Sequence, residues 1–113
     1  MAIGNEQVAG REFLGELAGD PYYPAHLVER GREVLRRLCE RIESERPHGL
    51  RELYALTHAA TEEFNCLGEA LEEAGSEIET VARDAIGADF AFVAAAYGFA
   101  DADGEELIAP REW

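Results

Sequence analysis

Between Leu50 and Gly75, apolar or small side chains recur at Leu53, Thr57, Ala60, Phe64, Leu67, Leu71 and Ala74. The steps alternate between four and three residues, which places all seven on one face of an α-helix. The spacing predicts a helix over 50–75, and every other long segment needs its stripe to pack against. A second stripe, Leu27, Val28, Gly31, Val34, Leu35, Leu38, Cys39 and Ile42, predicts a helix over about 25–46. Its outer face carries charges at supporting spacing: Glu33 with Arg37, Arg36 with Glu40, Arg41 with Glu45. Pro47-His48-Gly49 ends that helix and turns the chain.

The flanks are less regular. Residues 1–4 read as a loose start. Asn5 suits the N-cap of a helix over about 6–18, with Val8, Phe13, Leu14 and Leu17 inward, although Gly10, Gly15 and Gly19 weaken it. Gly19 to Pro24 is a turn whose Tyr22 and Tyr23 pin it to the core edge. After Gly75, Ser76 and Glu79 fit a capping box that opens a further helix with Ile78, Val81, Ala82, Ala85 and Ile86 inward. Asp89 falls on the apolar face of that helix, so Gly87-Ala88-Asp89 predicts a kink, or a restart capped by Asp89. Phe90, Phe92, Val93, Ala96 and Tyr97 continue the pattern to Gly98, a favourable residue just past a helix end. Asp101 or Asp103 caps a short helix over 105–108, stopped before Pro110, and Trp113 docks into an apolar groove or an interface. No stretch has strand periodicity with its turns. The expectation is an all-α, single-domain bundle of four to five helices over 1–113. Its centre is an antiparallel hairpin made by the 50–75 helix and the one after it.

Charge changes the picture. Of the 113 residues, 24 are acidic and ten are basic, all ten Arg, giving a net charge of −14. Residues 1–51 hold eight Arg against nine acids, a net of −1; residues 52–113 hold two against fifteen, a net of −13. The acidic half repels nucleic acid and anionic membrane, where it gains no counterion release, and attracts a basic partner. Five arginines on the second helix (Arg30, Arg32, Arg36, Arg37 and Arg41) are interleaved with glutamates, which reads as a self-neutralised face. Cys39 and Cys66 both fall within helical patterns and read as buried thiols of a reducing compartment. With no leader-like segment and no apolar run of membrane-spanning length, the reading is cytoplasmic.

Candidate chemistry concentrates on the 50–75 helix. Tyr54, His58, Thr61 and Asn65 form a polar stripe one step around from the core stripe, with Thr57, Glu62 and Glu63 beside it. His58 and Glu62 are one turn apart, a spacing that suits one divalent ion or a shared proton. Glu77, Glu79 and Asp84 at the start of the next helix are further ligands if the two helices are antiparallel. Arg83, the only basic residue between 52 and 110, is an anchor for that helix or for an anion. The candidate polar site is therefore His58, Thr61, Glu62, Asn65, Glu79 and Arg83. The plainer reading is that these groups brace helix against helix through hydrogen bonds to carbonyls one turn back or across the interface. No metal site is expected. The paired Glu-x-x-His of di-iron bundles and H-E-x-x-H are both absent, and Asp101-Ala102-Asp103-Gly104 is too short for a calcium loop. No cofactor is implied, because no glycine-rich phosphate loop is present, and neither cysteine has a base at a telling spacing.

The runs YYPAHLVERGREVLRRLCERIE, YALTHAATEEFN, AGSEIETVARDAIG and FVAAAYGFADADGEELIAPREW resemble an uncharacterised bacterial family, domain-of-unknown-function family 5713. The resemblance covers residues 11–113 and implies a stand-alone bacterial helical protein. It transfers no activity, substrate or site residue. Three functional readings follow from the residues. The first is an acidic protein-interaction module (an inhibitor, immunity-like protein or adaptor) that binds a basic protein. The second is a small-molecule or divalent-metal-binding enzyme that uses His58 and Glu62. The third is a structural homodimer seamed by Trp113, Phe90 and Phe99. The absence of catalytic motifs favours a protein that is not an enzyme.

Overall fold

The computed structural model describes residues 3–113. Among the described residues every regular element is helical: α1 (Glu6–Ala9), α2 (Ala25–Glu45), α3 (Leu50–Glu73), α4 (Thr80–Ala96) and α5 (Gly104–Leu107). The bundle is all-α, as the periodicity predicts. Its closest helix pair is α2 with α3, an antiparallel hairpin across the loop 46–49. The pair expected at the centre, α3 with α4, approaches less closely along the backbone. It is joined through side chains such as Phe64 and Phe90, whose rings meet edge-to-face at 5.8 Å.

The α2 stripe is buried at all eight expected positions. Gly31 is where α2 is approached most closely. A Cβ there would stand 2.7 Å from Leu14 Cδ1, 3.2 Å from Leu67 Cδ2 and 3.3 Å from Phe64 Cε1. The α3 stripe is buried from Leu53 to Leu71, joined by Leu56 and Thr61, but Ala74 is exposed past the helix end. Cys39 is fully buried, whereas Cys66, expected inside, is exposed on the outer face of α3.

Helix ends follow local chemistry with two corrections. Asn5 Oδ1 accepts from Gln7 and Val8 N–H, so α1 starts where the sequence predicts. It stops after four residues, not at 18. Leu14, expected in helix, has φ +54°, and its N–H donates to Asp89 Oδ2 instead of to a carbonyl one turn back. Ser76 is not a cap for α4. Its N–H donates to Leu71 carbonyl at 2.8 Å while Gly75, at φ +85°, takes the left-handed position, so both residues close α3. The next helix therefore begins only at Thr80, and its N-cap Glu79 makes no side-chain capping bond. That late start leaves Val81 exposed, where the pattern placed it inward. Gly98, at φ +91°, ends α4 with the same bond pattern, Phe99 N–H to Ala94 carbonyl at 2.8 Å. Arg36 reaches Glu29 at 2.8 Å, while Arg37–Glu33 and Arg41–Glu45 pair as spaced.

The first described residues, Ile3 and Gly4, are tied down. Met1 and Ala2, part of the expected loose start, lie outside the described residues. Gly4 N–H donates to Glu43 Oε1 at 2.9 Å, and Ile3 packs on the core. No helix is long and apolar enough to cross a membrane, among the described residues.

Candidate functional site

The polar stripe of α3 faces the C-terminal segment. Tyr54 Oη accepts from Asp103 N–H at 3.0 Å. One turn on, His58 Nε2 lies 2.7 Å from the Glu106 carbonyl oxygen and 3.1 Å from the Glu106 carboxylate. An Nε2–H donor satisfies the carbonyl, so this contact selects that tautomer. The His58 ring lies nearly parallel to Tyr54, 11° apart. Thr61 Oγ1 donates to Thr57 carbonyl at 2.9 Å and stands 3.4 Å from Leu107 carbonyl. Asn65 closes the row: Nδ2 donates to Pro110 carbonyl at 3.1 Å, and Oδ1 accepts from Glu112 N–H at 2.9 Å. Four side chains at one-turn spacing thus satisfy backbone groups of a segment too short to satisfy its own. Asp103 caps that segment, its Oδ1 accepting from Glu105 N–H at 2.9 Å. Leu107 and Ile108 are buried beneath it, and Trp113 meets Phe64 edge-on at 6.4 Å.

The remaining candidates do not converge with His58 on one site. Glu62 Oε1 accepts from Asn65 Nδ2 at 3.0 Å, so His58 and Glu62 engage different partners. Glu79 and Arg83 line a separate cleft with Asp20, Tyr22 and Val81, away from the α3 stripe. Arg83 makes no ion pair among the described residues, although it also borders a second cleft beside Asp84, Asp103 and Glu105. No three His, Cys, Asp or Glu side chains converge as a metal cage would require, among the described residues. Phe90 is buried, and Phe99 and Trp113 pack against the chain's own core.

Two polar centres had no sequence signal beyond single residues. Asp89, mid-helix and 2% exposed, holds Arg11 Nε at 2.8 Å and Leu14 N–H at 2.8 Å. The Arg11 guanidinium also lies over the Phe92 ring at 4.3 Å. These groups border a cleft of about 500 Å³ with Gln7 and Glu16. The misfit of Asp89 on an apolar face was the visible sign of this centre. At the other, Glu43 accepts from Tyr97 Oη and from the Gly4 and Asn5 N–H groups. The Tyr97 hydroxyl and the backbone N–H groups hold the Glu43 carboxyl below its usual range. Burial, then the bond to Glu43, raises the Tyr97 phenol, and burial pushes the neighbouring Cys39 thiol up to about 12.

Fold and stripe together define an all-α bundle whose last short helix is strapped across α3 by side-chain-to-backbone bonds. The chain belongs to the family of unknown function DUF5713, whose family model matches residues 7–113. No curated protein and no solved structure matches it.

Proposed function

We propose that the protein is an acidic protein-interaction module that binds a basic protein. The observation that supports this reading is the disposition of charge. Of the fifteen acids in 52–113, only Asp89 is buried. Glu69, Glu72, Glu73, Glu77 and Glu79 gather around the C-terminal end of α3 and the loop to α4, all exposed. That end already carries the negative pole of the helix, so acids there oppose local stability. The Glu77 carboxyl is raised by its hydrogen bond to Glu79, by the Glu79 charge, by desolvation and by the Glu72 charge. A surface that holds unfavourable charge together is relieved when a cationic partner arrives. The polar stripe supports the same reading. Its groups are engaged with the C-terminal segment and act as a brace for the scaffold that carries the acids.

The test is affinity capture from lysate at low salt, eluted by a salt gradient. Basic proteins should be retained and should elute early in the gradient. Retention should weaken on the triple variant Glu72→Gln, Glu73→Gln, Glu77→Gln. If no basic protein is retained at low salt, the reading is wrong.

A further inference from the structure

The described residues leave two large apolar side chains exposed, Tyr22 at 43% and Val81 at 56%, and both line the same open cleft of about 700 Å³. Tyr22 comes from the turn before α2, and Val81 from the first turn of α4. Isolated exposed apolar residues need no explanation; these two come from distant segments and line one cleft. The turn is built to hold its aromatic in place. Tyr22 N–H donates to Asp20 Oδ1 at 2.9 Å and Tyr23 N–H to Asp20 carbonyl at 3.0 Å. Pro21 and Pro24 restrict the backbone on either side. The Tyr22 ring stands edge-on to Tyr23 at 5.0 Å, and Tyr23 is itself anchored in the core. An aromatic side chain ordered before binding loses little entropy on binding, as interface anchors require.

The rim identifies the occupant. Asp20 and Glu79 line the cleft together with Tyr23. The Glu79 charge also acts on Glu77, just outside the lining. Arg83 is the one cation in the lining, so a plain polycation gains less here than a segment with an apolar centre. We infer that the Tyr22–Val81 cleft docks a short segment of a protein partner in which one apolar anchor is flanked by Lys or Arg. The anchor covers Tyr22 and Val81 while the flanking cations meet Asp20 and Glu79. This inference rests on the acidic-module reading and gives it a location and a partner chemistry.

The test pans a display library of short random peptides on the full chain at low salt. Affinities of the enriched peptides are then measured by fluorescence anisotropy. The comparison uses Tyr22→Ala, Val81→Ser and, as a control that removes one negative charge outside the cleft, Asp101→Asn. All three sites are exposed, and circular dichroism checks that each variant is folded. The expected peptides combine an apolar anchor with flanking Lys or Arg. Either cleft variant should weaken them on the order of tenfold, and Asp101→Asn should leave them within about twofold. Basic peptides that bind Tyr22→Ala and Val81→Ser as tightly as the unsubstituted chain would overturn the cleft while leaving the acidic-module reading in place. Recovery of no peptide, or of acidic ones, would likewise overturn the cleft, while the acidic-module reading falls only if the lysate capture also retains no basic protein.

Discussion

Asp89 accepts the backbone N–H of Leu14 at 2.8 Å, and Leu14 sits at φ +54°, a conformation that costs an L-residue about 1–2 kcal/mol. One carboxylate inside α4 therefore holds a strained residue 75 positions earlier in the chain. Its second oxygen takes Arg11, and Arg32 from α2 donates to Phe13 carbonyl at 2.8 Å. The irregular segment between α1 and α2 is in this way gripped from both sides. Asp89→Ala removes the acceptor and leaves a buried N–H and a part-buried cation without partners. A loss of about 2–4 kcal/mol in urea unfolding is expected, because orphaned groups cost more than the bond itself contributes.

Gly31 lets the Leu14 side chain enter the α2–α3 interface. Gly31→Ala gains up to about 1 kcal/mol of helix propensity but drives a methyl against Leu14, Leu67 and Phe64, typically a cost of about 1–3 kcal/mol. Net destabilisation of about 1 kcal/mol is expected from the shift in urea midpoint. A more stable variant would show that Leu14 can step aside.

Asn65 should govern the far end of the C-terminal strap. Asn65→Ala removes a donor to Pro110 carbonyl and an acceptor from Glu112 N–H, a loss of about 1–2 kcal/mol. Hydrogen exchange should speed up at Glu112 and leave the middle of α2 unchanged. Equal acceleration in α2 would mean that the strap and the bundle open together.

The two thiols should separate cleanly. Cys66 is exposed and Cys39 is buried with its thiol pushed up to about 12, so a thiol reagent at neutral pH should count one fast group in the native protein. The second should react only in denaturant.

Acid dependence should carry opposite signs at two glutamates. Glu43 is lowered on folding, so its contribution is full above its ordinary value of 4.5 and is lost as pH falls through the lower folded value. Glu77 is raised from 4.5, so its contribution is present below that value and is lost as pH rises through the folded one. In unfolding curves collected across acid pH, Glu43→Gln should flatten the acid limb. Glu77→Gln should add stability at neutral pH.

What the sequence determined alone was whatever depends on neighbours three or four residues apart. The full α2 stripe, most of the α3 stripe, the Asn5 cap and the glycine ends at Gly75 and Gly98 are local events, so periodicity and capping chemistry were sufficient, whereas the choice of Asp103 over Asp101 as the last cap was left open. The polar stripe was legible as a stripe, and its occupant was not. Tyr54, His58 and Asn65 meet backbone atoms more than 40 positions away, and backbone groups have no signature in a sequence. The same holds for Asp89. Local rules offered a kink or a cap, because an acid on an apolar face is costly unless paired. The fold supplied Arg11 and the Leu14 amide, which left α4 continuous and stopped α1 short. Which helices pair most closely, and that Tyr22 and Val81 share a cleft, were likewise decided by tertiary packing, since contact between distant segments depends on how whole faces fit together.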